Sequence, residues 1–134
     1  MEREATDVRL EAAAASVNYQ KGVREMKSRF EALEVSFELV RSLRRPVESL
    51  RRKHPELFRQ LRDAATSVTL NLAEGRRRRG SDRTHLWRVA AGSADEVYAA
   101  LRLGVAWGHL GESSIQSSLA LVDRLQAMLW PLTQ

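Results

Sequence analysis

The stretch Glu56–Gly75, ELFRQLRDAATSVTLNLAEG, contains the clearest structural signal in the chain. Its apolar residues recur every three or four positions, at Leu57, Leu61, Ala64, Ala65, Val68 and Leu72. That spacing puts them on one face of an α-helix, whereas a half-buried strand would alternate apolar and polar residues. His54-Pro55 interrupts the chain just before this stretch, because proline has no backbone donor. We therefore predict a helix from about Glu56 to Gly75.

Toward the N-terminus the helical spacing continues over a long distance. Steps of three or four residues link Val8, Ala12, Ala15, Tyr19, Val23, Met26, Phe30, Leu33, Phe37 and Val40. The early part of this stripe consists largely of alanine and is weakened by Gly22. We predict that residues 1–29 form a helical extension, marginal unless it packs on something. The first helix proper is predicted over residues 30–53, where Pro46 should kink or divide it.

Two further helices are predicted after Gly75. Gly80-Ser81-Asp82 is expected to form a loop, with Ser81 as the N-cap of a third helix that runs to about Leu110 and is capped by Gly111. The residues expected to face inward on it are Leu86, Val89, Ala90, Val97, Leu101 and Val105. A fourth helix is predicted from about Glu112 to Trp130, with inward-facing Ile115, Leu119, Val122, Leu125 and Leu129. Four amphipathic helices with short connections predict an all-α fold, an up-down four-helix bundle (residues 30–134) with an N-terminal helical extension.

Composition excludes several classes of protein. The 134 residues include no cysteine, which rules out disulfides, thiolate zinc sites and a cysteine nucleophile. No apolar run approaches the ~20 residues that span a bilayer. The acidic N-terminal residues lack the basic and then apolar pattern of a signal peptide. We expect a cytoplasmic protein with no membrane association.

Groups suited to catalysis are few. The histidines are His54, His85 and His109, and Asp82-x-x-His85 is a single copy of the carboxylate-histidine spacing that metal-binding bundles use in pairs. The chain contains no phosphate-cradling loop and no nucleophile elbow. We therefore expect no enzymatic activity, no metal and no cofactor.

The charge is concentrated in the middle of the chain. Residues 1–40 have a net charge of −2, residues 41–88 a net charge of +9, and residues 89–134 a net charge of −2. A middle third at +9 indicates a polyanionic partner, RNA or DNA, although an organism that simply favours surface arginine would give the same pattern. The candidate phosphate-contacting residues fall in two groups: Arg76, Arg77, Arg78, Arg79, Arg83 and Arg88, and then Arg44, Arg45, Arg51 and Arg52.

Tryptophans are too few to build a stacking platform for single strands. We expect Trp107 and Trp130 to pack in the bundle. Trp87, beside the arginines, is expected in the core, at an oligomer contact or against a base, in that order.

Two segments resemble a known family. Gln60–Gly75 (QLRDAATSVTLNLAEG) and Leu86–Val97 (LWRVAAGSADEV) are similar to the four-helix bundle proteins encoded in intervening sequences of bacterial 23S rRNA genes. The same fold is shared by Avd, the accessory protein of diversity-generating retroelements, and the resemblance covers about residues 30–132. It implies a non-enzymatic bundle that assembles as a ring-like homopentamer. In the Avd branch it further implies nucleic-acid binding through basic surface and a reverse transcriptase as partner.

The resemblance also implies a structural role for matched positions. These are Asn71, Glu74, Gly75, Gly92, Ser93 and Glu96, together with Arg88. Gly92 and Ser93 are expected to permit close packing, and Asn71, Glu74, Arg88 and Glu96 to form a polar network between helices or subunits. The four arginines replace an aromatic-containing turn of the family, which favours nucleic-acid binding here. The 1–29 extension has no counterpart in the family and is expected to cap the bundle or alter the size of the ring.

Two functions from different classes follow. The leading hypothesis is a homo-oligomeric accessory protein whose basic face contacts RNA or DNA phosphates. The alternative is a protein-interaction scaffold with no direct nucleic-acid role.

Overall fold

The computed structural model describes residues 2–134, apart from the side chains of residues 25, 26, 28, 29 and 30. The described residues form four α-helices and no strand, which confirms the all-α prediction. The helices are α1 (Glu2–Lys53), α2 (Pro55–Gly75), α3 (Gly80–Ala106) and α4 (Glu112–Leu129), and a short 3₁₀ turn, Trp130–Leu132, follows. The side chains of Met26 and Phe30, both in the predicted apolar stripe, lie outside the described residues.

The helices enclose one hydrophobic core. Helix α2 packs against α1 and α3, and α4 packs against the same two helices. The six apolar residues predicted to face inward on α2 are all buried, which confirms the orientation of that helix. The largest fully buried side chains are Leu39, Leu43, Leu50, Leu61, Leu101, Ile115, Leu125 and Leu129. Burying each of them contributes about 1.5–3 kcal/mol, so this core supports a helical bundle.

Polar side chains connect neighbouring helices within this core. The hydroxyls of Ser42 and Ser118 lie 2.8 Å apart between α1 and α4, and those of Ser67 and Ser93 lie 2.8 Å apart between α2 and α3. Similar contacts join the other two neighbouring pairs of helices: Thr69 to Ser36, and Gln126 to the carbonyl of Ala91. Because these hydrogen bonds satisfy buried polar groups, they fix how each helix is positioned against the next.

Pro46 does not divide the first helix. Helix α1 continues through this buried proline to Lys53, so the prediction of a divided helix is wrong. The break comes at His54, as predicted from His54-Pro55, and the Nδ1 of His54 accepts a hydrogen bond from the Leu57 amide at 3.1 Å. His54 is therefore the N-cap of α2, and Pro55 occupies the first helical position, where no backbone donor is needed.

Glycines set the ends of α3 differently from the prediction. Helix α3 begins at Gly80, whose φ of +58° turns the chain out of extended Arg79, so the predicted loop and the Ser81 cap are wrong. It ends at Ala106, where Gly108, with a φ of +77°, reverses the chain. Gly111 is the N-cap of α4 and not the C-cap of α3.

Several large apolar side chains lie outside the core. Val89 is 37% exposed, so it does not face inward as predicted, and Phe37 and Val40 of the predicted α1 stripe are each 39% exposed. Trp107 and Trp130 are 66% and 68% exposed, and each directly follows the last residue of a helix. The expectation that these two tryptophans pack in the bundle is wrong.

The register of α2 is tested by a pair of matched substitutions. Leu61→Ala should lower the free energy of unfolding by about 2–5 kcal/mol, because Leu61 is fully buried and alanine would leave a cavity. Leu70→Ala, on the exposed side of the same helix, should change it by less than about 0.5 kcal/mol. Urea unfolding monitored by circular dichroism measures both, and equal losses would show that α2 is oriented otherwise.

Candidate nucleic-acid interface

The four adjacent arginines form the turn between α2 and α3, which we call the arginine turn (Arg76–Arg79). All four side chains are exposed. The backbone of the turn is hydrogen-bonded to the end of α2: the Arg77 amide donates to the Glu74 carbonyl, and the Arg78 amide to the Gly75 carbonyl, both at 3.1 Å. The turn is thus hydrogen-bonded to the last residues of α2, and it presents cations at one end of the bundle.

The indole of Trp87 lies directly against Gly75. A Cβ atom at position 75 would come within 2.7 Å of Trp87 Cδ1, so any larger residue would displace the ring. Trp87 is 3% exposed, in agreement with the first of the three positions expected for it. Gly75, the last residue of α2, lacks a side chain and therefore lets the first turns of α3 pack closely on it.

Arg83 also contacts both Gly75 and Trp87. Its Nε donates to the Gly75 carbonyl at 3.3 Å, and its guanidinium carbon lies 5.5 Å from the centre of the Trp87 ring. The hydrogen bond satisfies a carbonyl at the end of α2, and the contact with the ring is a cation–π interaction. Arg83 therefore has a structural role next to the arginine turn, and it also adds a positive charge there.

The two other arginines with described contacts at this end are also held in place. Arg78 pairs with Glu74 at 3.2 Å, an exposed ion pair one helical turn apart. Arg88 Nε donates to the carbonyl of Thr133 at 2.9 Å, which fastens the last residues of the chain to α3. The structure thus brings Arg76–Arg79, Arg83 and Arg88 to one end of the bundle.

The second predicted cluster lies along α1. Arg44 and Arg45, with Arg41, line an open cleft of about 820 Å³ whose other wall is the start of α4, with Ser114 and Ser117. Farther along, the Arg51 guanidinium carbon lies 5.2 Å from the centre of the Phe58 ring, and its Nε is 3.5 Å from Glu48. Arg52 is exposed.

The two clusters are not one surface. Arg51 contacts Phe58 at the start of α2, whereas the arginine turn follows the end of that 21-residue helix. A helix of that length spans about 30 Å, well beyond the Debye length of roughly 8 Å at physiological salt. A single compact anion therefore cannot contact both Arg51 and the arginine turn, whereas an extended strand can.

The matched motif residues do not form the expected network within the chain. Asn71 Nδ2 donates to the carbonyl and hydroxyl oxygens of Ser67, at 2.9 and 3.0 Å, and Ser67 in turn contacts Ser93. Glu74 and Arg88 have the separate partners described above, and Glu96 lies in a groove between α2 and α3. Ser67, one turn before Asn71, is the connecting residue that the sequence analysis missed.

Gly92 does not permit a close helix approach inside the chain. It is exposed, and a Cβ atom there would meet nothing within 4 Å. Ser93, its neighbour, is buried and makes the packing contact instead.

Within the described residues, no three or more side chains of His, Cys, Asp or Glu come together as a metal-binding group. Within the same part of the chain, no helix is long and apolar enough to cross a membrane.

The sequence model of a protein family, described as "23S rRNA-intervening sequence protein", matches residues 23–130. The match covers all of α2, α3 and α4 and leaves out residues 2–22 of α1. No curated protein matches the chain.

The contact between Gly75 and Trp87 gives a direct prediction. Gly75→Ala should lower the free energy of unfolding by about 1–3 kcal/mol, because the added methyl group overlaps the buried indole. Gly22→Ala, where nothing lies within 4 Å, is the control and should leave stability unchanged or raise it by about 0.5–1 kcal/mol. Thermal unfolding measures both. If Gly75→Ala is as stable as the control, Trp87 is not confined as described.

Proposed function

Because the chain belongs to the 23S rRNA-intervening sequence protein family, we propose that it is a cytosolic, non-enzymatic accessory protein that binds nucleic acid and assembles as a homo-oligomer. The observation that carries this proposal is the arginine turn, four exposed arginines on a hydrogen-bonded turn at one end of the bundle. The bundle itself is proposed to be up-down: Ser36 contacts Thr69 and Arg51 contacts Phe58, so residue numbers rise along α1 as they fall along α2.

The chemistry of the arginine turn favours phosphate over base recognition. Guanidinium groups bind phosphate oxygens in a bidentate manner. Because the four guanidinium groups are exposed, they can reach the phosphates of a nucleic acid directly. Trp87, which packs against Gly75 next to the turn, is buried and is not placed to stack on a base. Binding through phosphates alone is independent of sequence and sensitive to salt.

A stripe on α3 supports self-association. Val89, Gly92, Glu96, Ala99 and Leu103 follow one another in steps of three and four, and all five are exposed. Glu96, Ala99 and Leu103 also line the groove of about 380 Å³ between α2 and α3. We propose that a second copy occupies this groove, with Gly92 permitting its close approach, and that repetition of the contact closes a pentamer. A reverse transcriptase is the proposed protein partner, as in the Avd branch.

The arginine turn is tested against a variant with the same loss of charge. Replacing Arg76, Arg77, Arg78 and Arg79 by alanine should weaken RNA binding at low salt by at least about 100-fold. It should also reduce the slope of log K against log salt by about 3, since each phosphate contact in single strands contributes roughly 0.7. Replacing Arg44, Arg45, Arg51 and Arg52 by alanine should have a clearly smaller effect. Fluorescence anisotropy with labelled RNA and duplex DNA over a salt series provides the measurement.

Two results would contradict this proposal. Equal losses in both variants would mean that net charge and not the arginine turn determines binding. No binding by the unaltered protein at low salt would instead favour the scaffold, whose basic face would then meet an acidic protein.

The oligomer has its own test. Native mass spectrometry should give a mass for the unaltered protein that is a multiple of five 15.2 kDa chains. Leu103→Glu, which places a charge in the proposed contact, should give species of one or two chains, while the control Leu70→Glu on α2 should not. An unaltered protein that contains only one or two chains would exclude the ring.

A further inference from the structure

Helix α1 continues far beyond the bundle. Its 52 residues span about 78 Å, whereas the 21 residues of α2 span about 30 Å. Ser36 of α1 contacts Thr69, near the end of α2, so the N-terminal part of α1 leaves the bundle at the end that carries the arginine turn. Residues 2–21 are exposed throughout.

This exposed helix segment is not built to be stable alone. Val8 is 63% exposed and Tyr19 is 74% exposed, and most of the remaining apolar residues are alanine. Helices in water derive most of their stability from packing an apolar face against a partner. The segment therefore requires something that covers its apolar stripe.

The apolar stripe of the segment points away from its own bundle. Tyr19 and Phe37 are 18 residues apart, about five turns, and so lie on the same side of α1. Phe37 is 39% exposed, and it lies roughly 200° around the helix from fully buried Leu39. The stripe of Val8, Ala12, Ala15, Tyr19 and Val23 thus continues along the outer side of α1. The expectation that the extension caps its own bundle does not agree with this orientation.

The apolar stripe reads nearly the same in both chain directions, so two antiparallel copies of it would match. About a centre between residues 15 and 16, Val8 falls opposite Val23, and the small Ala12 falls opposite the large Tyr19. The charged residues also favour an antiparallel arrangement. Residues 2–19 contain four acidic and two basic side chains, whereas residues 20–29 contain four basic and one acidic. An antiparallel pair places the acidic half of each helix beside the basic half of the other, and a parallel pair places like beside like.

We infer that the N-terminal segment of α1 pairs in an antiparallel coiled coil with the same segment of a second copy of this chain. The pairing joins two bundles, or two rings of bundles, at the ends that carry the arginine turns. A paired segment of 28 residues, 2–29, separates those ends by about 42 Å, so the joined particle presents two basic ends to one polyanion. The pairing itself does not depend on nucleic-acid binding or on the groove between α2 and α3.

Mass measurement tests the pairing with a matched control. Val8→Glu/Val23→Glu places charges on the stripe and should halve the particle mass measured by light scattering after size-exclusion chromatography. Val17→Glu changes a residue of the same type and similar exposure on the other side of the segment, and it should leave the mass unchanged. All these residues are exposed, so the bundle keeps its fold, which circular dichroism verifies.

The same comparison in the Leu103→Glu background separates this inference from the proposed ring. There the mass should fall from two chains to one when Val8 and Val23 are replaced, whether or not a pentamer exists. An unchanged mass in both backgrounds would overturn the pairing, and so would an equal effect of Val17→Glu.

Cross-linking tests the direction, since the chain has no native cysteine to interfere. A mixture of the single variants Val8→Cys and Val23→Cys should form a disulfide between the two different chains under mild oxidation. Val8→Cys alone should form none, because a disulfide needs Cβ atoms about 3.5–4.5 Å apart. Efficient dimers of Val8→Cys alone would show a parallel pair, and cross-linking in neither sample would overturn the contact.

Discussion

The packing of the Trp87 indole on the bare backbone of Gly75 is the contact on which one end of the molecule depends. The contact joins the last residue of α2 to the first turns of α3, on either side of the four-residue turn between them. Arg83 completes the junction by bonding to the Gly75 carbonyl and lying against the ring. Four adjacent like charges repel one another, and the backbone of the turn is held against this repulsion by its hydrogen bonds to the Glu74 and Gly75 carbonyls.

The polar groups inside the bundle are uncharged, and the charged groups lie on its surface. Its interior polar groups are small hydroxyls and an amide that are satisfied across helix pairs, so they position helices without burying charge. The charged groups are on the outside: the arginine turn follows the end of α2, and the second cluster extends along α1 from beside the middle of α2, at Arg44, to beside its start, at Arg51. This division suits a rigid particle that presents cations to an extended polyanion, and the projecting part of α1 leaves the bundle beside one of those clusters.

The sequence predicted α2 well and α1 poorly, for a physical reason. Helix α2 has one apolar face, so its periodicity identifies the buried side without ambiguity. Helix α1 has two, one with Leu39, Leu43 and Leu50 that enters the core, and one with Phe37 and Val40 that remains outside. Periodicity shows that an apolar stripe exists, but it does not show which of two stripes is buried. In α1 the exposed stripe is the one that continues from the N-terminal extension.

The site was predictable in its residues but not in their contacts. The run of arginines and its position between two helices follow from the sequence alone. Gly75 is expected to end a helix, but its contact with Trp87 depends on how α3 returns against α2. The separation of the two basic clusters and the structural role of Arg83 also depend on tertiary packing, which a charge count does not contain.

We propose that the arginine turn is the nucleic-acid contact of this bundle. Ultraviolet cross-linking of the unaltered protein to RNA, followed by mass spectrometry of peptic fragments, tests it most directly, because pepsin leaves the arginine run intact where trypsin would cut it. Cross-linked peptides should come mainly from residues 74–88. Cross-links confined to residues 41–53, or spread evenly over the surface, would contradict it.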